Sequence, residues 1–198
     1  MSINKVSLLF FSFLFFTVQG KAQKKEKKNI EKIYSSAISK YYEGKSISIV
    51  VLDSTFNEYI VATNYSDLAN DYDKRRGIFS GGVALDTSWK TFLRKADAIK
   101  HNLRHNEIPE IKLTASGVKL VSNDSIKISF KNTGWEGFRK TFGVNDLVKL
   151  SNVILYKKKA VVELSRSSGG LSGEGIIFFL QKLKRRWVIV LYLPTWVS

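Results

Sequence analysis

Read for apolar periodicity, the chain opens on an uninterrupted apolar run. Two stretches of helical period follow, then a series of short runs in which the period is two. The opening run, Val6 to Val18, contains no charge. As a helix it would reach roughly 20 Å, short of a bilayer core about 30 Å thick. With Lys5 before it and the small residues Gly20 and Ala22 after it, the run predicts a cleavable secretory signal over residues 1–22, cut before Gln23. Gln23 to Lys28 then reads as a charged spacer, and 29–198 as a single domain.

Ile30, Ile33, Tyr34, Ala37, Ile38 and Tyr41 recur at helical spacing, so a helix is expected over 30–43. Asn29 is available to start it and Gly44 to stop it. A second helix is expected from Thr87 or Ser88 to near Asn106. Its stripe of Trp89, Phe92, Leu93, Ala96, Ile99 and Leu103 covers an arc of about 120°, as a helix lying on a sheet requires. Between the two lie strand-like runs at 46–52 and 56–62 and a long irregular connection over 64–86.

Beyond Pro109, Val118 to Ser122 and Ser125 to Phe130 alternate around Asn123-Asp124, which predicts a hairpin. Thr133 to Phe142 reads as a short helix or turn. Four runs close the chain, at 148–156, 160–165, 175–181 and 187–193. Their links are short, which favours antiparallel neighbours. The pattern as a whole predicts an α+β fold: two main helices packed on an antiparallel sheet that ends in a four-stranded β-meander.

Composition narrows the chemistry. The chain has no cysteine, which excludes thiol catalysis, iron–sulfur clusters, thiolate zinc sites and any disulfide. Thirty-two basic residues stand against 17 acidic ones, a formal charge of +15. Removing the signal takes away Lys5 and Lys21 and leaves +13 on 176 residues. Such a field attracts anions. Outside the cytoplasm these are lipopolysaccharide phosphates, acidic glycans, anionic lipids and stray nucleic acid. Neither a motif for specific nucleic-acid recognition nor a second apolar run long enough to cross a membrane is present.

Three groups of residues carry candidate chemistry. Lys157, Lys158 and Lys159 form one link of the expected meander, and Lys182, Lys184, Arg185 and Arg186 form another. Counting strands puts both links at the same end of the sheet, a surface suited to an anion. Lysines also protect turns and edges without any ligand. Lys74, Arg75 and Arg76 make a further basic cluster. Asp97, His101 and His105 follow one another at i, i+4 and i+8 on the second expected helix, a spacing that can hold a divalent metal ion. Lys90 and Arg94 on the same ridge oppose a cation.

The Gly-rich link Ser167 to Gly175 could cradle a phosphate, but it lacks the Gly-Lys-Ser/Thr ending of a P-loop and joins two strands. Its simpler reading is a turn that needs positive φ. Trp89, Trp135, Trp187 and Trp196 are expected in the core, with Trp196 the most exposed. Asp86, Glu136 and Glu174 show no paired-carboxylate spacing.

The stretch 134–198 resembles a group of small exported bacterial proteins of unknown function. The matching positions are Trp135, Phe138, Leu150-Ser151, Ala160-Val161, the link Ser168 to Gly175, Leu180, Lys182, Arg186-Trp187 and the closing Trp196-Val197-Ser198. In that group the link usually carries Cys-Gly-x-x-Cys-Gly. Here it is Ser168-Gly169-Gly170-Leu171-Ser172-Gly173, which removes disulfide or redox chemistry. The resemblance implies an exported α+β domain and no activity.

The function expected from these readings is a non-catalytic exported domain, periplasmic or secreted, that binds an anionic envelope component or glycan and needs no cofactor. The alternatives are a metal-dependent hydrolase built on Asp97, His101 and His105, and a structural or protein-partner module.

Overall fold

The computed structural model describes residues 24–56, 60, 62–70, 86–101, 103, 117–131 and 133–198. The expected signal over residues 1–22, the cluster Lys74-Arg75-Arg76 and His105 lie outside the described residues.

The first helix, α1, covers residues 24–41, so the charged residues expected as a spacer are helical and continuous with the apolar stripe behind them. Of that stripe, Ile33, Tyr34, Ala37 and Ile38 are buried. Strand β1 (Ile49–Leu52) follows and is buried along its length. The run expected as a strand over 56–62 is not one: residues 60 and 62 are helical, and 57–59 and 61 lie outside the described residues. Within the expected irregular connection, Tyr65–Asn70 forms α2. The second long helix, α3, is Ser88–Lys100 and buries Trp89, Phe92, Leu93 and Ala96 as its stripe requires, but it stops short of the expected end near Asn106: His101 caps it and Leu103 lies beyond it.

Strand β2 (Val118–Val121) is followed by a helix, α4 (Asn123–Phe130), in place of the expected hairpin partner. Ser122 caps it, its hydroxyl accepting from the Ser125 N–H at 3.2 Å. Helix α5 (Trp135–Phe142) ends at Gly143, whose φ of 73° is the left-handed stop that glycine takes readily.

Five strands complete the chain: β3 (Asp146–Leu150), β4 (Ile154–Tyr156), β5 (Lys159–Ser167), β6 (Gly173–Leu183) and β7 (Arg186–Val197). The sheet has seven strands in the order β2-β1-β3-β5-β6-β7, with β4 also paired to β5. It is mixed, not antiparallel as expected, because β1 runs parallel to both β2 and β3. From β3 onward every pairing is antiparallel.

The run expected as one strand over 148–156 is two. At Ser151-Asn152-Val153 the ladder with β5 breaks, and local groups satisfy the polar atoms this leaves buried. The Ser151 N–H donates to Glu163 O at 3.0 Å and the Glu163 N–H donates to Ser151 Oγ at 2.8 Å. The Tyr34 hydroxyl reaches across from α1 to Ser151 O at 2.9 Å.

The sheet is covered on both faces. Helix α1 packs on one, against Val148, Leu150, Val162, Leu164, Phe178 and Leu180. On the other, α2 and α3 cover the half made by β4 to β7, with Val161, Ile177 and Phe179 at the contact. Helices α4 and α5 cover the half made by β1 to β3, through Ile126 and Phe138 against Val50 and Leu147. Strand β7 changes face partway along. Phe179 pairs with Leu191 but Leu180 pairs with Ile189, so Val190 is the extra residue of a bulge. Trp187 and Ile189 therefore meet α1, while Val190, Leu191 and Leu193 meet the α2–α3 side.

Candidate functional site

The two basic links are neighbours. Tyr156 pairs with Lys159 and Leu183 with Arg186, so each link is a two-residue turn. The Lys182 N–H donates to Lys158 O at 2.7 Å, which ties one turn to the other. Lys157, Lys158, Lys184, Arg185 and Arg186 are exposed there. Lys157 and Lys184 take φ of 55° and 54°, a left-handed conformation unfavourable for a residue with a side chain.

Two of the seven expected cations turn inward. Lys159 is 9% exposed, its ammonium hydrogen-bonded to Ser88, 3.7 Å from Asp86 and above the Trp89 ring, so it pins α3 to the sheet. Lys182 donates to Asn29 Oδ1 at 2.8 Å and lies over the Trp187 ring.

That Lys182–Asn29 bond also brings α1 to the basic end. Since Tyr41 bonds Glu174 at the far end of β6, α1 runs along the sheet. Residues 24–28 then project past Lys182 by roughly 7 Å at the helical rise. They carry Lys24, Lys25, Lys27 and Lys28, all exposed, with Glu26 the one acidic residue among them. A groove of about 750 Å³ leaves this end between α1 and β7, lined by Ser36, Ser39, Lys40 and Glu43 on one side and Trp187 to Tyr192 on the other.

Asp97 and His101 lie on the same ridge of α3 and its cap. Both Asp97 oxygens are engaged: Oδ1 accepts from the Tyr65 N–H at 3.0 Å and Oδ2 from the Ser66 N–H, while Lys100 Nζ lies 2.9 Å away. Asp97 thus caps the start of α2 from a neighbouring helix. Burial pushes its carboxyl up. The Ser66 hydroxyl, Lys100 and the two backbone N–H groups outweigh burial and hold it below its ordinary value. His101 is exposed. Among the described residues no group of three or more His, Cys, Asp or Glu side chains could hold a metal ion.

The Gly-rich link is shaped by two demands. Gly169 takes a φ of 96°. Gly173 and Gly175 lie beneath Trp196, where an added Cβ on Gly175 would come within 2.2 Å of the indole nitrogen. Trp196 is therefore half-buried against the link.

A polar network that the linear pattern does not reveal lies at the opposite end of the sheet from the basic turns. Arg166 Nε donates to Asp146 Oδ2 at 2.8 Å and the Tyr42 hydroxyl donates to the same oxygen at 2.9 Å. The Tyr41 hydroxyl donates to Glu174, which lies 3.9 Å from Arg166. Burial raises Asp146, but Arg166, Tyr42 and Ser168 together hold it below its ordinary value. Burial and the neighbouring carboxylates push both tyrosines up. These groups come from the end of α1 and the residue after it, β3, β5 and β6, up to 133 residues apart. They join the end of α1 to the sheet through a partly exposed ion-pair cluster.

No protein-family model, curated protein or solved structure matches the chain. No helix among the described residues is long and apolar enough to cross a membrane.

Proposed function

We propose that the protein is an exported, non-catalytic domain that holds an anionic partner, an envelope component or an acidic glycan, at its basic end. The observation that carries this reading is the convergence of three segments distant in sequence. The Lys157–Lys158 turn, the Lys184–Arg186 stretch and the lysines of residues 24–28 meet at one end of the sheet. Clustered like charges repel one another, and that repulsion is relieved when an anion binds. Turn protection by lysine accounts for the cations of a single turn. It does not account for α1 bringing four more to the same place.

The reading is tested by titrating the purified protein with a sulfated glycan and with lipopolysaccharide at several salt concentrations. Affinity should fall steeply as salt rises. Joint reversal of Lys158→Glu and Arg185→Glu should weaken binding at least tenfold, whereas reversal of the exposed Lys140 on α5 should change it little. Affinity indifferent to salt and to the double reversal would overturn the reading.

A further inference from the structure

A second, chemically different cleft lies elsewhere in the molecule. Strand β1 sits between β2 and β3 and runs parallel to both, so the chain leaves β1 for a neighbour on one side and later returns on the other. In parallel and mixed sheets such a reversal opens a crevice at the carboxyl ends of the strands, where small ligands bind. The structure has a cleft of about 630 Å³ that starts at the carboxyl end of β1 and runs along the face of β3 to Ser167 at the end of β5, under α4 and Trp135 of α5. Its volume falls within the range of small-molecule sites, roughly 300–1,000 Å³.

The lining has a consistent chemistry. Phe56, Phe130 and Trp135 supply aromatic surface, and all three are half-buried. The Phe130 and Trp135 rings meet edge to face at 5.0 Å, which fixes the wall they form. Ser54, Thr55 and Ser167 add hydroxyl residues to the lining. Lys149 is the one ionisable residue of the lining among the described residues, and its exposed ammonium has no ion-pair partner among them. Lys149 pairs with Ser165, six residues along β5 from Lys159, so the cleft stands about 20 Å from the basic turns.

From an apolar, aromatic cleft with one uncompensated cation, we infer that this is a second binding site, for a small organic anion: a flat or apolar body carrying one carboxylate, sulfonate or phosphate group. The aromatic wall takes the body and Lys149 takes the charge. The site is independent of the basic end in position and in lining.

The test uses two probes with the same body. One is 8-anilinonaphthalene-1-sulfonate and the other is N-phenyl-1-naphthylamine, which lacks the sulfonate. Probe fluorescence and energy transfer from tryptophan are followed on titration. The sulfonate should bind at one saturable site. Lys149→Met should weaken it about tenfold or more, the loss of a charge-assisted hydrogen bond, and should leave the neutral probe unchanged. Asn123→Trp, at the exposed start of α4 on the cleft's rim, should weaken both probes. Joint Lys158→Glu and Arg185→Glu reversal should affect neither. Absence of saturable binding overturns the inference. So does a sulfonate affinity that ignores Lys149→Met or that follows the reversals at the basic end.

Discussion

Single residues carry geometry that the chain pattern conceals. Gly175 faces Trp196 so closely that a methyl group cannot enter, and Gly175→Ala should cost about 1–3 kcal/mol as an overpacked contact. If the indole is the obstacle, Trp196→Ala in the same chain should remove part of that cost. Thermal melts of the single and double variants would show the non-additivity. Lys184 makes the opposite case. Its left-handed backbone costs a side-chain-bearing residue roughly 1 kcal/mol, so Lys184→Gly should raise stability by a few tenths to about 1 kcal/mol.

Asp97 gives a pH dependence at the same scale. Its folded-state pKa lies below the unfolded value, so its contribution is present above the usual carboxylate range and is lost as pH falls through the folded value. Asp97→Asn should therefore lower stability at neutral pH and flatten its decline below about pH 4. Denaturant melts from pH 7 to pH 2 check this. An unchanged acid limb would remove Asp97 from the account.

At the scale of elements, what was legible in the sequence depended on whether one signal or two competed. The stripe of α3 had a single reading, and the structure buries Trp89, Phe92, Leu93 and Ala96 as that reading requires. The segment after Ser122 carries two signals, of which the alternation alone predicts a hairpin. Ile126, Ile128 and Phe130 alternate as a strand would, yet Ser122-Asn123-Asp124 serves helix starts as well as turns. The cap prevailed, leaving Ile128 74% exposed. The break at Ser151 was hidden for another reason. Its hydroxyl does the work of a strand partner for the buried Glu163 N–H, and a composition of Leu-Ser-Asn-Val gives no sign of it.

Ser151→Ala would leave that donor without its acceptor inside the protein, and should cost about 1–3 kcal/mol. A loss below about 0.5 kcal/mol would mean that the ladder closes over the gap. Parallel pairing of β1 with β2 and β3 was equally out of reach, because direction depends on where long connections return and not on the strands themselves. The bulge at Val190 defeats any alternation count along β7 for a similar reason: the extra residue is defined by its partner strand.

For the whole molecule, charge distribution matters more than net charge. The sequence showed two basic links, and strand counting put them at one end of the sheet. It could not show that Lys159 and Lys182 turn inward, nor that α1 projects four further lysines to the same end, since that follows from one contact, Lys182 to Asn29. The consequence is measurable apart from affinity itself. When a polyanion binds, each neutralised charge releases counterions and adds about 0.7–0.9 to the slope of log affinity against log salt for nucleic acids, with the same physics for sulfated glycans. If residues 24–28 share the surface with the turns, replacing Lys24, Lys25, Lys27 and Lys28 by Gln should flatten that slope by about 1 or more. Because all four side chains are exposed, the melting temperature should hardly move. A lower affinity at unchanged slope would mean that the helix acts through shape and not through charge. An unchanged slope and affinity would confine the anion to the two turns.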